Sequence, residues 1–339
     1  MKEKLLFTCL IILFCGFLPV NSAEIQPKTA SLIQQKTPEF IDNMVNKHKN
    51  EVKIIFSDID DTLIPLSLNG KETSTPQIAK DEIKLLQKEN IPIVLATGRA
   101  RNEISHVIKD LNLTTPYLIL LQGSEIIDLN GNILYHDGVP AKDVFKMEKE
   151  FYKIVKKNNL TSNFYIVING AQYGTKFFTM PYNGKCINVI KSYEDFGHNF
   201  IAGKVILYDS NTKSLKILQK EMKEKFPKYQ IVISAHGFCD ITSPSATKGN
   251  AIKQVAKWMK IDLKNAAAFG DAENDISMLN TVKKEGGLSV AVENALPKLK
   301  ENADFVTKPV TSGGEYYAIQ KILLNNKLLK QKNEIGVKF

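Results

Sequence analysis

Asp58-Ile59-Asp60-Asp61-Thr62 places two carboxylates, Asp58 and Asp60, two residues apart. In an extended turn both can face one cavity. A carboxylate is a competent nucleophile toward phosphorus and gives an acyl phosphate. A second carboxyl can protonate the leaving alcohol and then activate water. Aspartate pairs also bind Mg²⁺, which offsets the repulsion between carboxylate and phosphate. An Asx-rich turn would have the same composition. Three further stretches are similar in kind. Thr97-Gly98-Arg99 offers a hydroxyl and backbone N–H groups for phosphate oxygens, or is a plain strand-to-helix turn. Thr247-Lys248-Gly249 puts a lysine where its point charge could neutralise phosphate and nucleophile, or face solvent. In Gly270-Asp271-Ala272-Glu273-Asn274-Asp275, Asp271 could complete a metal site, Asp275 could orient a metal-bound water and Asn274 could reach a substrate. Asp275 would equally fit a helix N-cap.

The elements that must position these loops follow one rhythm. Val52 to Ser57 is a short apolar run, the mark of a buried strand in a parallel sheet. Helical spacing runs from Pro76 to Glu89, a second strand from Ile91 to Ala96, a helix through Ile104, Val107 and Leu111, and a third strand from Tyr117 to Leu121. This alternation describes a doubly wound α/β core. Ile126 to Tyr135 reads as a hairpin with Asn130-Gly131 as its tight turn. After Gly138 the pattern becomes mixed α+β: a helix from Ala141 to Asn158, short strands at Phe164 to Ile168, Lys176 to Thr179 and Gly203 to Tyr208, a helix from Lys213 to Lys225, and strands at Gln230 to Ser234 and Phe238 to Thr242. The α/β rhythm returns at Lys248, with strands at Ala266 to Phe269, Leu288 to Val292 and Phe305-Val306. The core is thus split in sequence: residues 51–137 and 244–339 form it, and 138–243 form an inserted unit. All four motifs follow strands or begin a helix of the one core, and ligands of open α/β sheets bind beyond the carboxyl ends of the strands.

Composition bounds the rest. The 339 residues are 43% hydrophobic and 24% charged, an ordinary globular balance that excludes a disordered chain. The net charge of +9 is spread along the chain, with its clearest excess from Lys321 to Lys338, and no aromatic residues interleave with it as a base-stacking platform needs. Nucleic acid is therefore not an expected partner. At the start, Lys2 and Lys4 precede an apolar stretch from Leu5 to Val20 and the small residues Ser22 and Ala23, the three parts of a secretory signal peptide over residues 1–23. The apolar run is short for a spanning helix, so the expected location is exported, periplasmic or secreted, with an uncleaved anchor as the rival. Residues 24–50 read as a linker or leading helix. Once Cys9 and Cys15 leave with the signal, Cys186 and Cys239 remain, and an oxidising compartment would permit one disulfide.

In their order, the four motifs Asp-x-Asp-x-Thr, Thr-Gly-Arg, Thr-Lys-Gly and Gly-Asp-x-x-Asn-Asp resemble those of the haloacid dehalogenase superfamily of phosphohydrolases. The nearest match is the Cof-type branch, subfamily IIB, from about Lys53 to the last helix, and the stretches Ser289 to Ala295 and Ala303 to Thr307 look alike too. The resemblance implies a Rossmann-like core with an α+β cap of the C2 type that closes over the substrate. It implies that Asp58 is nucleophile and metal ligand, and that Asp60 is the general acid/base, its backbone carbonyl also binding Mg²⁺. Thr97 and Lys248 would hold the phosphoryl group, with Gly98 and Arg99 beside it. Asp271 would be the third protein ligand, Asp275 would support the metal, and Asn274 would contact phosphate. Two positions depart from the family pattern: Asp61 stands where glycine is usual, and Gln122-Gly123 where Asn-Gly is usual.

The resulting expectation is a Mg²⁺-dependent phosphatase of small phosphorylated metabolites, sugar phosphates among them, since a cap would shut out folded proteins and duplexes. A sugar phosphomutase of related fold would return the phosphoryl group to a sugar and release little phosphate. An exported binding protein that had lost turnover would bind phosphate ligands without releasing phosphate.

Overall fold

The computed structural model describes residues 48–66, 75–177, 187–235 and 237–334. The predicted signal peptide, nearly all of the 24–50 linker, Cys186 and the end of the basic tail lie outside the described residues. Apolar runs bounded by polar turns produce the first half of the core in sequence order. These are β1 (Ile54–Ser57), α1 (Gln77–Lys88), β2 (Ile93–Leu95), α2 (Arg101–Leu111), β3 (Leu118–Leu120), β4 (Glu125–Ile127) and β5 (Ile133–His136). An inserted unit follows with β6 (Val139–Pro140), α3 (Ala141–Lys157), β7 (Asn163–Ile168), β8 (Ala171–Gly174), β9 (Asn188–Val189), β10 (Ile201–Ala202), β11 (Lys204–Tyr208), α4 (Thr212–Lys225), β12 (Gln230–Ala235) and β13 (Phe238–Thr242). The core resumes with α5 (Lys248–Met259), β14 (Ala266–Gly270), α6 (Ile276–Lys284), β15 (Leu288–Ala291), α7 (Pro297–Asn302), β16 (Phe305–Val306) and α8 (Gly314–Glu334).

The core sheet is parallel, in the order β16-β15-β14-β1-β2. β3 follows β2 through a parallel bridge between Ala96 and Ile119. Side chains alternate across the sheet: Ile55 and Leu95 face α1, α2 and α8, while Ile54, Phe56 and Val94 face α5, α6 and α7. Helices therefore cover both faces, and each strand is buried along its whole length, as a doubly wound sheet requires. Because the order reverses between β1 and β14, the loops after both strands open at the same switch point.

The inserted unit has its own sheet, ordered β12-β13-β11-β7-β8-β9. Its outer face (Phe164, Ile166, Val205, Leu207, Cys239, Ile241) packs under Val144, Met147 and Phe151 of α3 and Leu215, Leu218 and Met222 of α4. The opposite face (Tyr165, Val167, Ile206, Phe238) joins the hydrophobic cluster of the core. Cys239 is a buried thiol without a disulfide partner among the described residues.

Two local expectations are corrected. No strand runs from Lys176 to Thr179: Lys176 and Phe177 are irregular, and 178–179 lie outside the described residues. The strand is instead β8, turned back from β7 by Asn169-Gly170, both at positive φ (50° and 73°). That pair of residues is the mark of a tight hairpin turn, and it sets β8 five residues earlier. At Asn130-Gly131 only Gly131 has positive φ (85°). The Gly131 N–H donates to Asp128 O, so the loop is a wider one with a glycine-closed bulge rather than a two-residue turn.

Candidate active site

Asp58 is the first residue after β1, and its backbone N–H still donates to Phe269 O of β14. That bond ties the nucleophile candidate to the strand carrying the Gly270-Asp271 loop. Lys248, the first residue of α5, is fully buried. Thr247 explains the helix start: its side chain accepts from Asn250 N at 3.1 Å as an N-cap. With the helix so anchored, the Lys248 ammonium lies 2.7 Å from Asp58 Oδ1 and 2.6 Å from Asp275 Oδ1.

Asp275 is held from the other side. Its Oδ2 accepts from the backbone N–H of Asp271 (3.1 Å) and of Ala272 (3.0 Å). It makes no side-chain cap to α6, so the N-cap alternative fails and the carboxylate is turned inward. A Cβ on Gly270 would lie 2.5 Å from Asp275 Cβ, which is why only glycine fits before Asp271. Asp271 accepts from Thr62 Oγ1 at 3.0 Å. Carboxylate oxygens of Asp58, Asp271 and Asp275 lie within 4.8 Å of one another.

The electrostatics of this cluster are unbalanced. Three carboxylates share one ammonium. Burial, then the charge of Asp275, push Asp58 up to about 7 in spite of its bond to Lys248. Burial, Asp275 and Asp58 push Asp271 up to about 9. Burial by itself would lower Lys248, but Asp275 and Asp58 more than offset it and hold the ammonium above the usual lysine range. The surplus of anionic oxygen in a small volume is the donor set a hard divalent cation takes. These residues fit a metal site.

Asp60 sits apart from this cluster. Arg99 holds it in a fork, Nε to Oδ2 at 2.9 Å with a second bond from an Nη to Oδ1. The Arg99 guanidinium is thus paired with the carboxylate of the general-acid candidate, two residues before the start of α2. Thr97 is buried, and its Oγ1 accepts from Arg99 N at 3.1 Å, which leaves the hydroxyl proton for donation.

The two departures have structural reasons. Asp61 has φ 54°, a conformation that suits glycine and is tolerated by Asp. Its carboxylate accepts from Leu66 N at 2.8 Å, so it closes its own loop and is not among the clustered carboxylates. Gln122 also has positive φ (64°), and its longer side chain spans a gap: Oε1 accepts from Asn274 Nδ2 at 2.8 Å, and Nε2 donates to Asp240 Oδ2 at 3.2 Å. Asp240 belongs to the inserted unit and hydrogen-bonds Lys204 Nζ at 2.9 Å; the same ammonium donates to Gly98 O at 2.8 Å. Lys204 and Asp240 carry no sequence motif, since each is a single charged residue within its own strand. The only signal was a charged residue at an inward position of an otherwise apolar strand.

Residues 55–319 match the haloacid dehalogenase-like hydrolase family. The phosphatase YwpJ of Bacillus subtilis is 25% identical over 307 residues, covering 80% of this chain and all of that protein. The 5-amino-6-(5-phospho-D-ribitylamino)uracil phosphatase YwtE of Bacillus subtilis is 24% identical, covering 80% of this chain and 98% of that one. Among solved structures, the subclass IIB sugar phosphatase BT4131 superposes with a TM-score of 0.65 at 23% identity over 79% of this chain and 98% of that one. A haloacid dehalogenase-like hydrolase from B. subtilis superposes with a TM-score of 0.66 at 21% identity over 79% and 99%.

Proposed function

We propose, for a chain that belongs to the haloacid dehalogenase-like hydrolases and is a phosphatase of that family, hydrolysis of small phosphate monoesters through an aspartyl phosphate at Asp58, with sugar phosphates as the substrate class. The observation that carries this reading is the buried triangle Asp58–Lys248–Asp275 beside Asp271. Lys248 fixes one oxygen of Asp58 and so aims the carboxylate. The Asp58 carboxylate attacks phosphorus, and the bond to the leaving alkoxide breaks as the new one forms. Asp60 gives its proton to the leaving oxygen, then takes one from the water that attacks the aspartyl phosphate and regenerates Asp58. To do so it must exchange its Arg99 fork for the substrate. Thr97 Oγ and the Lys248 ammonium hold the phosphoryl oxygens, with Gly98 and Asn274 at the edge of the same space.

Asp58, Asp271 and Asp275, with the Asp60 backbone carbonyl, are the groups that would hold Mg²⁺. When bound, the ion supplies positive charge where phosphate and carboxylate meet. The inserted unit serves as the cap in this reading. Two likenesses support the sugar class: to YwtE, a phosphatase of a phosphoribitylamino compound, and to BT4131, a sugar phosphatase. The amino-terminal pattern supports export of the chain, which amino-terminal sequencing of the native protein tests; a start at Met1 would contradict it. No helix among the described residues is long and apolar enough to cross a membrane.

The test of the activity is phosphate release from sugar phosphates, nucleotides and p-nitrophenyl phosphate, each with Mg²⁺, with chelator and with Asp58→Asn. Release that needs both Mg²⁺ and Asp58 is expected. No release from any ester by folded protein in Mg²⁺ would overturn the reading in favour of a mutase or a binding protein.

A further inference from the structure

We propose that Lys204 and Asp240 form a specificity-determining pair that reads hydroxyl groups on the alcohol side of the ester, with Asp240 accepting from a substrate hydroxyl and Lys204 donating to one. This rests on the phosphatase reading above and deepens it.

The argument begins with cost. Lys204 and Asp240 are 8% and 1% exposed at their side chains. An ion pair removed from water to that degree is no better for stability than apolar residues of the same volume. Its neighbours on the same sheet face, Ile206, Tyr165, Val167 and Phe238, show what an apolar solution looks like. A charged pair kept among them needs another reason.

Position supplies it. β11 and β13 are adjacent strands, with Ile206 opposite Asp240, and both charged residues point toward the catalytic loops of the core. Lys204 reaches Gly98 O in the Thr97 loop, and Asp240 reaches Gln122, which in turn accepts from Asn274 beside Asp275. One unbroken chain of bonds, Gly98–Lys204–Asp240–Gln122–Asn274, therefore joins the inserted unit to two of the four motif loops. Gly203, just before Lys204, makes the approach possible. A Cβ there would lie 2.4 Å from Leu121 Cδ1 and 3.1 Å from Glu125 Oε1.

Two acceptors along this chain of bonds are left open. Asp240 Oδ1 and Asn274 Oδ1 are buried acceptors without a hydrogen-bond partner. Each such acceptor carries a desolvation cost until a donor arrives. Neither a phosphate oxygen nor an apolar group is a donor. A hydroxyl is, and it also accepts from an ammonium, so a polyhydroxylated leaving group satisfies Asp240 and Lys204 together. A site built to bond a hydroxyl rejects the analogue that lacks it, because the buried groups are then left unpaired.

The experiment compares matched esters: glucose 6-phosphate against cyclohexylmethyl phosphate, a ring of similar size without hydroxyls, with p-nitrophenyl phosphate reporting turnover as such. The wild-type protein is expected to favour the sugar ester in kcat/KM by about tenfold or more. That preference should collapse to within about twofold or threefold in both Asp240→Asn and Lys204→Gln, with the loss in kcat/KM of the sugar ester. Asn keeps the shape and the bond to Lys204, so melting near the wild-type temperature is expected. Wild-type protein that hydrolyses p-nitrophenyl phosphate yet shows no preference for the sugar ester would overturn the proposal with no variant needed. So would a preference that survives in either folded variant, since the pair would then be only a strut between the two units. Absence of p-nitrophenyl phosphate hydrolysis would instead count against the phosphatase reading.

Discussion

Asp58 and Asp60 leave the same strand two residues apart, yet their surroundings are opposite. Asp58 is buried against Lys248 within a knot of carboxylates, and its bonds are to fixed elements: the start of α5 and the ladder of β14. Asp60 keeps 27% of its side chain exposed and is paired with one long, movable arginine. A nucleophile profits from the first setting, because a carboxylate aimed by a buried cation loses no time to reorientation. A general acid profits from the second, because it must change partner and proton within one turnover. In the proposed mechanism, two residues of one type would thus take separate duties from environment alone.

Several substitutions would break or sharpen this contrast. Lys248→Met should have the largest effect. It strands the Asp58 and Asp275 carboxylates in the interior, which should lower stability by about 3–5 kcal/mol and turnover by a factor on the order of 10³. Chemical denaturation and steady-state kinetics measure both, and wild-type stability would show that the triangle is not what holds the loop. Asp60→Asn should act on chemistry with little effect on stability. Its loss in kcat/KM, which reports the steps up to phosphoryl transfer to Asp58, should be roughly 10²-fold for alkyl phosphates and much smaller for p-nitrophenyl phosphate, whose leaving group needs no proton. Equal loss on both would argue against a general acid.

Metal and pH give a third contrast. Asp58 and Asp271 have folded values raised to about 7 and about 9, above the ordinary aspartate range of the unfolded chain. The folded state therefore binds more protons than the unfolded state between about pH 4 and those values, so metal-free stability falls as pH rises through this window. Mg²⁺ should reverse this by neutralising the ionised cluster. The gain in melting temperature on adding Mg²⁺ should be larger at pH 8 than at pH 5. An equal gain at both would place the ion elsewhere. The smallest effect is expected from Asp61→Gly. It removes the bond to Leu66 N but relieves the positive φ, and the two should leave stability within about 1 kcal/mol. A large loss of Mg²⁺ affinity in that variant would show that Asp61 reaches the metal after all.

Much of this was legible in the sequence, for a physical reason. Buried parallel strands are continuous apolar runs, so β1, β2, β14 and β15 show themselves, and the polar residues ending each run mark the mouth of the site. Motif residues also carry mixed duties that their types reveal: Thr247 caps a helix while Lys248 turns inward. The inserted unit was harder. Its β7–β8 hairpin turns at Asn169-Gly170, a pair whose significance depends on knowing that β7 precedes it. Nothing in the sequence could show that Arg99 pairs with Asp60, or that Gln122 bridges Asn274 and Asp240. Both depend on which long side chains meet across loops far apart in the chain, and spacing along one loop is silent on that.

The most direct test of the account is a search for phosphate on Asp58 itself. Protein mixed with excess substrate and Mg²⁺ and quenched in acid within the first turnover should yield one phosphorylated peptide, carrying the added mass at Asp58 and losing it on chase with unlabelled buffer. Phosphate release in a first-turnover time course with no phosphopeptide at any point would mean that water attacks the ester directly, and Asp58 would no longer be the nucleophile.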